Sequence, residues 1–453
     1  MSTHGDAERS GALSHLAATA RLSRLHDFSR GSRRALAAHQ GKRKEIDRKI
    51  SDQSRRGLDW TNFFMADVQI GFGSFLAFYL ADLDWSKQDV GMALMVGGLA
   101  KLVSQIPGGA LADAVTWKRG LVAIGIVMIA GSALILALWP SYPLVFSAEV
   151  LHGLTAGIVT PAIFGISLGL AGRQGMSLRT GRNYRYAAAG NVLTAAAMGV
   201  LGYYFSNRVI FIMAAILCIP ALIAVFQIRP NEIDYAQARN AAKRDHTFDV
   251  QSILDLTKNR NLLVFSGVMV LFHFCNASLL PLVGQNLGHS KDSFGSLLMA
   301  GMIIVPQIVV AILAPWIGYW SDRIGRKPLL LAGLGVEALR ALLFTVVSDP
   351  RLIMVVQLLD GVTAAIISVL TILVIADLTT GTGRFNLAQG AVGTMIGIAA
   401  AVSTGTLGFI AHTFGDFAGL LTMAAGTGLA AAVLWTLLPE TWTRHDNDAA
   451  PAA

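Results

Sequence analysis

The chain has 453 residues, of which 54% are hydrophobic and 14% charged, with a mean hydropathy of +0.55. So few charges cannot cover a soluble surface, which excludes the two or three water-soluble domains ordinarily expected at this length and makes the bilayer part of the solvent. The net charge of +8 does not point to nucleic acid, because the basic residues are not gathered on a folded soluble domain.

Residues 1–57 form a polar tail with thirteen Lys or Arg against six Asp or Glu. No continuous apolar stretch precedes Trp60, so the tail is not a signal peptide. It reads either as a disordered cytoplasmic tail or as a membrane-surface helix drawn to anionic lipid. Apolar runs of roughly 20 residues then recur, each long enough to cross a hydrocarbon core of about 30 Å as a helix. They cover about 60–80, 88–112, 120–139, 143–171, 186–205 and 209–228, then 262–286, 294–320, 328–347, 352–377, 386–411 and 417–438. Helices are required because each then satisfies its backbone groups internally. The expected organisation is a six-helix bundle at 58–228, a cytoplasmic linker with a short surface helix at 229–260, a second six-helix bundle at 261–440 and a tail at 441–453. With both termini cytoplasmic, thirty of the 36 Lys and Arg fall on cytoplasmic segments and four on external loops, which sets the orientation. Cys218 and Cys275 both lie in apolar runs, so neither a disulfide framework nor a zinc site is expected.

The two halves are copies. Gly318-Tyr-Trp-Ser-Asp322-Arg323-Ile-Gly325-Arg326-Lys327 follows the eighth run, and Gly109-Ala-Leu-Ala-Asp113-Ala-Val-Thr-Trp-Lys118-Arg119 follows the second, at an offset of 209. His152-Gly153-Leu-Thr-Ala and Asp360-Gly361-Val-Thr-Ala repeat at 208. So long a period means two related halves, not a solenoid. The pattern G-x-x-x-D-R-x-G-R-K between two membrane helices resembles the loop signature of the major facilitator superfamily, of the bacterial twelve-helix type. The resemblance covers roughly residues 58–440 and implies an all-α membrane protein of twelve transmembrane helices in two pseudo-symmetric six-helix bundles. It also implies that the two loops gate the cytoplasmic side. The earlier copy carries Ala114, Thr116 and Trp117 where the family has Arg, Gly and Arg, so Asp322 is expected to matter more to gating than Asp113. Exporters of the family often carry Gly-Pro on helix 5; here Tyr203 follows Gly202, which leaves the direction of transport open.

No phosphate-binding loop, paired-Cys, zincin or Ser-nucleophile signature is present, so neither an enzyme nor a bound cofactor or metal is expected. The candidates for chemistry are the ionisable residues inside the runs, which are costly there. They are Asp67, Lys101, Glu149, His152, His273, Glu337, Arg340 and Asp360. By resemblance helices 1, 4, 7 and 10 line the central cavity, and five of these residues fall on them. Glu149, Asp67 and Asp360 are the proton-coupling candidates. Glu149 stands where many family members carry an Arg, which reverses the charge. His152, His273, Asn276, Lys101 and Gln285 are the substrate-cavity candidates. His273 and Asn276 share a face of helix 7 and either bind a substrate or satisfy a neighbouring helix. Glu337 and Arg340 are three apart and expected to neutralise each other. Asp67 and Lys101 lie at similar depths, and a pair between them serves either as structural glue or as mechanism. The implied function is alternating-access, proton-coupled transport of a small organic solute, with export favoured over uptake of an organic acid. The rival is a non-transporting receptor or scaffold. The expected partners are the solute, protons and membrane lipid, with no nucleic acid, and the protein is expected to be monomeric.

Overall fold

In the computed structural model, residues 50–70, 76, 79–80, 83–85, 87–240, 256–279, 282 and 293–442 are described. They form the helices α1 (Asp52–Ile70), α2 (Lys87–Ala114) and α3 (Lys118–Leu138), then one helical run over Tyr142–Tyr204. That run breaks at Gly172, whose φ of 64° and ψ of 177° are open to glycine and strained for any other residue. We call its arms α4 (142–171) and α5 (173–204). There follow α6 (Asn207–Gln227), α7 (Arg260–Ala277), α8 (Ser293–Ile324), α9 (Arg326–Leu343), α10 (Pro350–Leu378), α11 (Phe385–Phe414) and α12 (Asp416–Leu437). With the long run divided, twelve helical segments are described.

Nine helical runs among the described residues, counting Tyr142–Tyr204 once, are long and apolar enough to span a bilayer. The short α9 falls outside this set because Arg326, Lys327, Glu337 and Arg340 all lie on it. On α6, Ile216, Ile219, Ile223 and Phe226 are more than half exposed at helical spacing, a continuous apolar face suited to lipid.

Helix starts follow local chemistry. The Asn259 side chain accepts from the Leu262 amide at 3.1 Å to open α7, and Asp349 accepts from the Arg351 amide at 2.7 Å to open α10, with Pro350 in the first turn. Two helices start earlier than the apolar runs. α1 begins at Asp52, inside the stretch read as tail, and α5 begins directly after Gly172 instead of near 186. The reason is one charge cluster. Asp59, only 1% exposed, is held by Arg179 at 2.5 Å and by Arg182, so both helices extend beyond their apolar portions with their charges neutralised. Arg179 Nε also donates to Asn183 at 2.7 Å, and Asn183 to Ser167 on α4 at 2.8 Å.

The short surface helix expected in the linker is not tested by the described residues. The described part of the linker holds two one-turn 3-10 helices, Pro230–Glu232 and Gln237–Arg239, and residues 241–255 lie outside the described set. Ala238, Arg239 and Asn240 are buried. Asn240, at φ 62°, donates through Nδ2 to the Ala376 carbonyl of α10 at 2.6 Å and accepts from the Gly383 amide at 3.3 Å. The Asp234 amide donates to the Gly169 carbonyl of α4 at 3.0 Å. Residues 230–240 of the linker thus tuck under the seam between the halves. We call this end of the bundle the linker end and the opposite one the far end. Near the linker end the buried core is continuous across the halves, from Phe164, Leu168 and Met176 to Phe265, Leu370 and Leu387.

Candidate functional site

The two halves meet along two related seams, α2 against α11 and α8 against α5. A Cβ on Gly109 would collide with the Asn386 carbonyl, and one on Gly318 with the Ser177 carbonyl. One turn into the partner helices, a Cβ on Gly390 would collide with the Gln105 carbonyl and one on Gly181 with that of Ala314. Ser177 and Asn386, Gly181 and Gly390, and Gln105 and Ala314 are each 209 apart, the offset of the loop motifs. The sequence repeat is therefore a pseudo-symmetry of the contacts, and small residues bring the backbones together.

Each seam ends on a motif carboxylate. Asp113 accepts from the Leu387 amide at 2.8 Å and from the Asn386 amide and side chain at 3.3 and 2.7 Å. It caps the first turn of α11 from the opposite half, where free amides and the helix dipole favour an anion. Asn386 also donates to the Ala238 carbonyl at 3.1 Å, which ties the linker to the same point. Asp322 accepts from Ser177 Oγ of α5 at 2.5 Å and from Arg326 at 2.9 Å. Arg326, 1% exposed, also donates to Asp377 of α10 at 3.1 Å and to Ser177 at 3.3 Å, and stacks on Trp442 at 4.2 Å. Gly325, at φ 103°, brings the Arg326 and Lys327 amides onto the Glu440 carboxylate at 2.9 and 3.1 Å. Arg323 lies over Tyr319 at 4.2 Å. In the earlier motif Lys118 donates to the Ala112 carbonyl and Arg119 to the Val225 and Phe226 carbonyls, so both close helix ends within their own half.

This geometry favours the opposite ranking to the one expected from motif completeness. The extra basic residues of the later motif bind mainly within its own half, whereas Asp113 makes three hydrogen bonds across the seam. We expect Asp113→Asn to open the linker end more than Asp322→Asn, because a charged bond to a helix start is worth about 1 kcal/mol or more and 1 to 2 kcal/mol moves a population about 5- to 30-fold. Both native cysteines are buried, so a cysteine at exposed Thr160 reports access cleanly. A membrane-impermeant thiol reagent applied at the linker end should label Thr160→Cys several-fold faster with Asp113→Asn added. Equal rates in all three backgrounds would remove the gating role.

Between the seams lies a cavity in two adjoining compartments that share Thr160. One, about 400 Å³, is lined by Asn62, Asn183, Tyr184, Asn191, Gln307 and Phe164 among others, with Asn191 donating to Gln307 across the halves at 3.2 Å. The other, about 230 Å³, is lined by Lys101, Gln105, Thr371 and Gln389 with apolar neighbours.

The sequence candidates divide by place. Lys101 lines the smaller compartment and is exposed. Glu149 is 3% exposed and lies between α4 and α2, with its carboxylate against Gly97; its Oε1 has no hydrogen-bond donor among the described residues. His152, His273 and Asn276 are partly buried, and both compartments are lined without them; the His273 ring meets Phe272 edge-on at 4.9 Å. Asp360 is bound by Arg340, which also holds Glu337 at 3.1 Å, and by Gln357 at 3.1 Å. The pair expected on helix 9 is thus a triad with helix 10. The Asp67 side chain and Gln285 lie outside the described residues, and so therefore does an Asp67 to Lys101 contact. Sequence reading missed Asp59, Arg179, Asp377, Asn386 and the uncharged amides of the larger compartment. Only the offset of 209, applied to residues outside the motifs, would have paired Asn386 with Ser177. Among the described residues no group of three or more His, Cys, Asp or Glu is placed to hold a metal.

The model of the Major Facilitator Superfamily matches residues 60–304 and again 262–452. The chain belongs to the Major Facilitator Superfamily. An MFS-type transporter of Mycobacterium tuberculosis strain H37Rv is 36% identical over 391 residues, 85% of this chain and 93% of the relative. The quinolone resistance protein NorA of Staphylococcus aureus is 26% identical over 129 residues, 28% of this chain and 32% of that protein. The crystal structure of the human organic anion transporter MFSD10 (TETRAN) has a TM-score of 0.62 at 16% identity, covering 86% of this chain and 99% of that one; at this identity the likeness is one of fold. As a member of this superfamily the chain is a multi-pass membrane transporter.

Proposed function

We propose that the protein is a secondary active transporter carrying a small organic solute across the cytoplasmic membrane by alternating access, driven by protons, with export as its direction. The observation that carries this reading is the cavity between two pseudo-symmetric halves that meet at the linker end through a shared buried core and a few reversible bonds. Alternating access needs such an arrangement, in which one half rocks on the other around a central site. Proton coupling is supported by Glu149, a carboxylate buried inside the membrane-spanning part, where acidic groups mark proton paths. Export is supported by the stretch shared with a quinolone resistance protein. With the linker end cytoplasmic, as the basic residues favour, this is the form closed to the cytoplasm.

The test uses purified protein in proteoliposomes. Solutes that raise its melting temperature are taken as ligands, since a ligand of the native state stabilises it. At least one of them is expected to show counterflow, and to move protons when added to vesicles holding a pH-sensitive dye. Stabilising solutes that show neither would favour the receptor or scaffold. Orientation is read in intact cells: external thiol reagent should miss Gln174→Cys and label Ser348→Cys, both positions being exposed at opposite ends.

A further inference from the structure

We propose that the central cavity takes a small organic anion, a carboxylate that also carries a hydroxyl or N–H donor, with Lys101 as the residue that binds its charge. This rests on the transporter reading and adds the chemistry of the solute. Among the described residues, the buried arginines of the long helices have found acids, and Arg185, exposed on α5, donates to the Ala311 carbonyl at 3.1 Å. Arg179 and Arg182 hold Asp59, Arg326 holds Asp322 and Asp377, and Arg340 holds Glu337 and Asp360. The buried lysine Lys118 is spent on the Ala112 carbonyl. Lys101 differs. It lies within the apolar span Met92–Ala114, is exposed to the cavity, and has no carboxylate of the described residues within ion-pair distance. A cation at such a depth is retained where it faces a water-filled path and meets a charge there.

The surroundings specify the rest of the ligand. Gln105 and Gln389 line the same compartment, and the side-chain carbonyl of each is buried without a donor. A buried acceptor left open is costly, and a hydroxyl or N–H on the ligand would satisfy it. Beyond Thr160 the larger compartment is lined by amides, Phe164 and Tyr184, with no Asp, Glu, Lys, Arg or His among the described residues. It suits an uncharged body with a ring face and hydrogen-bonding edges. Among the described lining residues a cationic solute would meet only a like charge, and a neutral one would give Lys101 no counter-charge. The carboxylate therefore sits on Lys101, the donor on the glutamine carbonyls, and the body reaches past Thr160.

The probes are 4-hydroxybenzoate, its methyl ester and 4-hydroxybenzylamine, which share a ring and differ in charge, with 3-hydroxybutyrate as an aliphatic acid. On the purified full-length protein, at least one of the two acids is expected to raise the melting temperature saturably, the ester at least tenfold more weakly, and the amine not at all. Lys101→Met should weaken the acid at least tenfold, while Lys101→Arg, which keeps the charge, should hold it within a few-fold and so separate recognition from folding. The proposal is overturned if neither acid binds, if the ester or amine binds as well as the acid, or if the acid binds Lys101→Met unchanged. An acid that binds through Lys101 yet never crosses the membrane would overturn the transporter reading and leave the site. Counterflow of a neutral or cationic solute, indifferent to Lys101→Met, would do the reverse.

Discussion

Glu149→Gln in proteoliposomes is expected to lose gradient-driven accumulation while keeping exchange without a gradient. The substitution preserves shape, so packing between α4 and α2 stays, and what disappears is the ability to take up and release a proton. The group is well placed for this. Its carboxylate rests against Gly97, and one turn further along α4 Gly153 packs against the backbone of Lys101. A proton on Glu149 and a solute on Lys101 would therefore sense each other within the same pair of helices, in surroundings where charges interact more strongly than in water. With one proton moved per solute, a pH difference of one unit supports about tenfold accumulation, equal to about 1.4 kcal/mol. That gradient should fall to unity in the variant. Gly97→Ala, which puts a methyl group where the carboxylate lies, should impair coupling in the same direction. Undiminished accumulation by Glu149→Gln would sink the assignment, and the same loss seen only in Asp67→Asn would move the role to α1.

Asp59→Ala should be the most destabilising single change at the linker end of the first half. Asp59 is 1% exposed and anchors Arg179 and Arg182, so its removal leaves the buried Arg179 guanidinium without its counter-charge. Breaking a buried pair by deleting one partner costs about 3 to 5 kcal/mol. Much of this is the unpaired charge and not the lost bond, so Asp59→Ala with Arg179→Met should recover a large part of the loss. The readout is the unfolding temperature of monodisperse protein. A double variant no more stable than Asp59→Ala would show that packing, not charge, holds α1 to α5.

The sequence by itself determined the membrane, the doubling and the family. Runs of about 20 apolar residues leave only helices as solutions in lipid, and a motif repeated at a fixed offset survives because each half performs the same packing task. Lys101 and Glu149 were legible for the same reason, as charges that stand out against an apolar run. The helix starts at Asp52 and after Gly172 were not legible, because hydropathy registers the lipid-facing portion of a helix and not the turns that continue past it on paired charges. Nor was the division of labour between the two loops. Motif completeness favoured Asp322, but what each carboxylate does depends on which helix start or hydroxyl the opposite half presents, here the amides of Asn386 and Leu387 for Asp113 and Ser177 for Asp322. Asp360 reads alone as a cavity acid and is in fact neutralised by Arg340 from the neighbouring helix. Only the tertiary structure decides such cases, since periodicity fixes the face of a helix but not the partner that face meets.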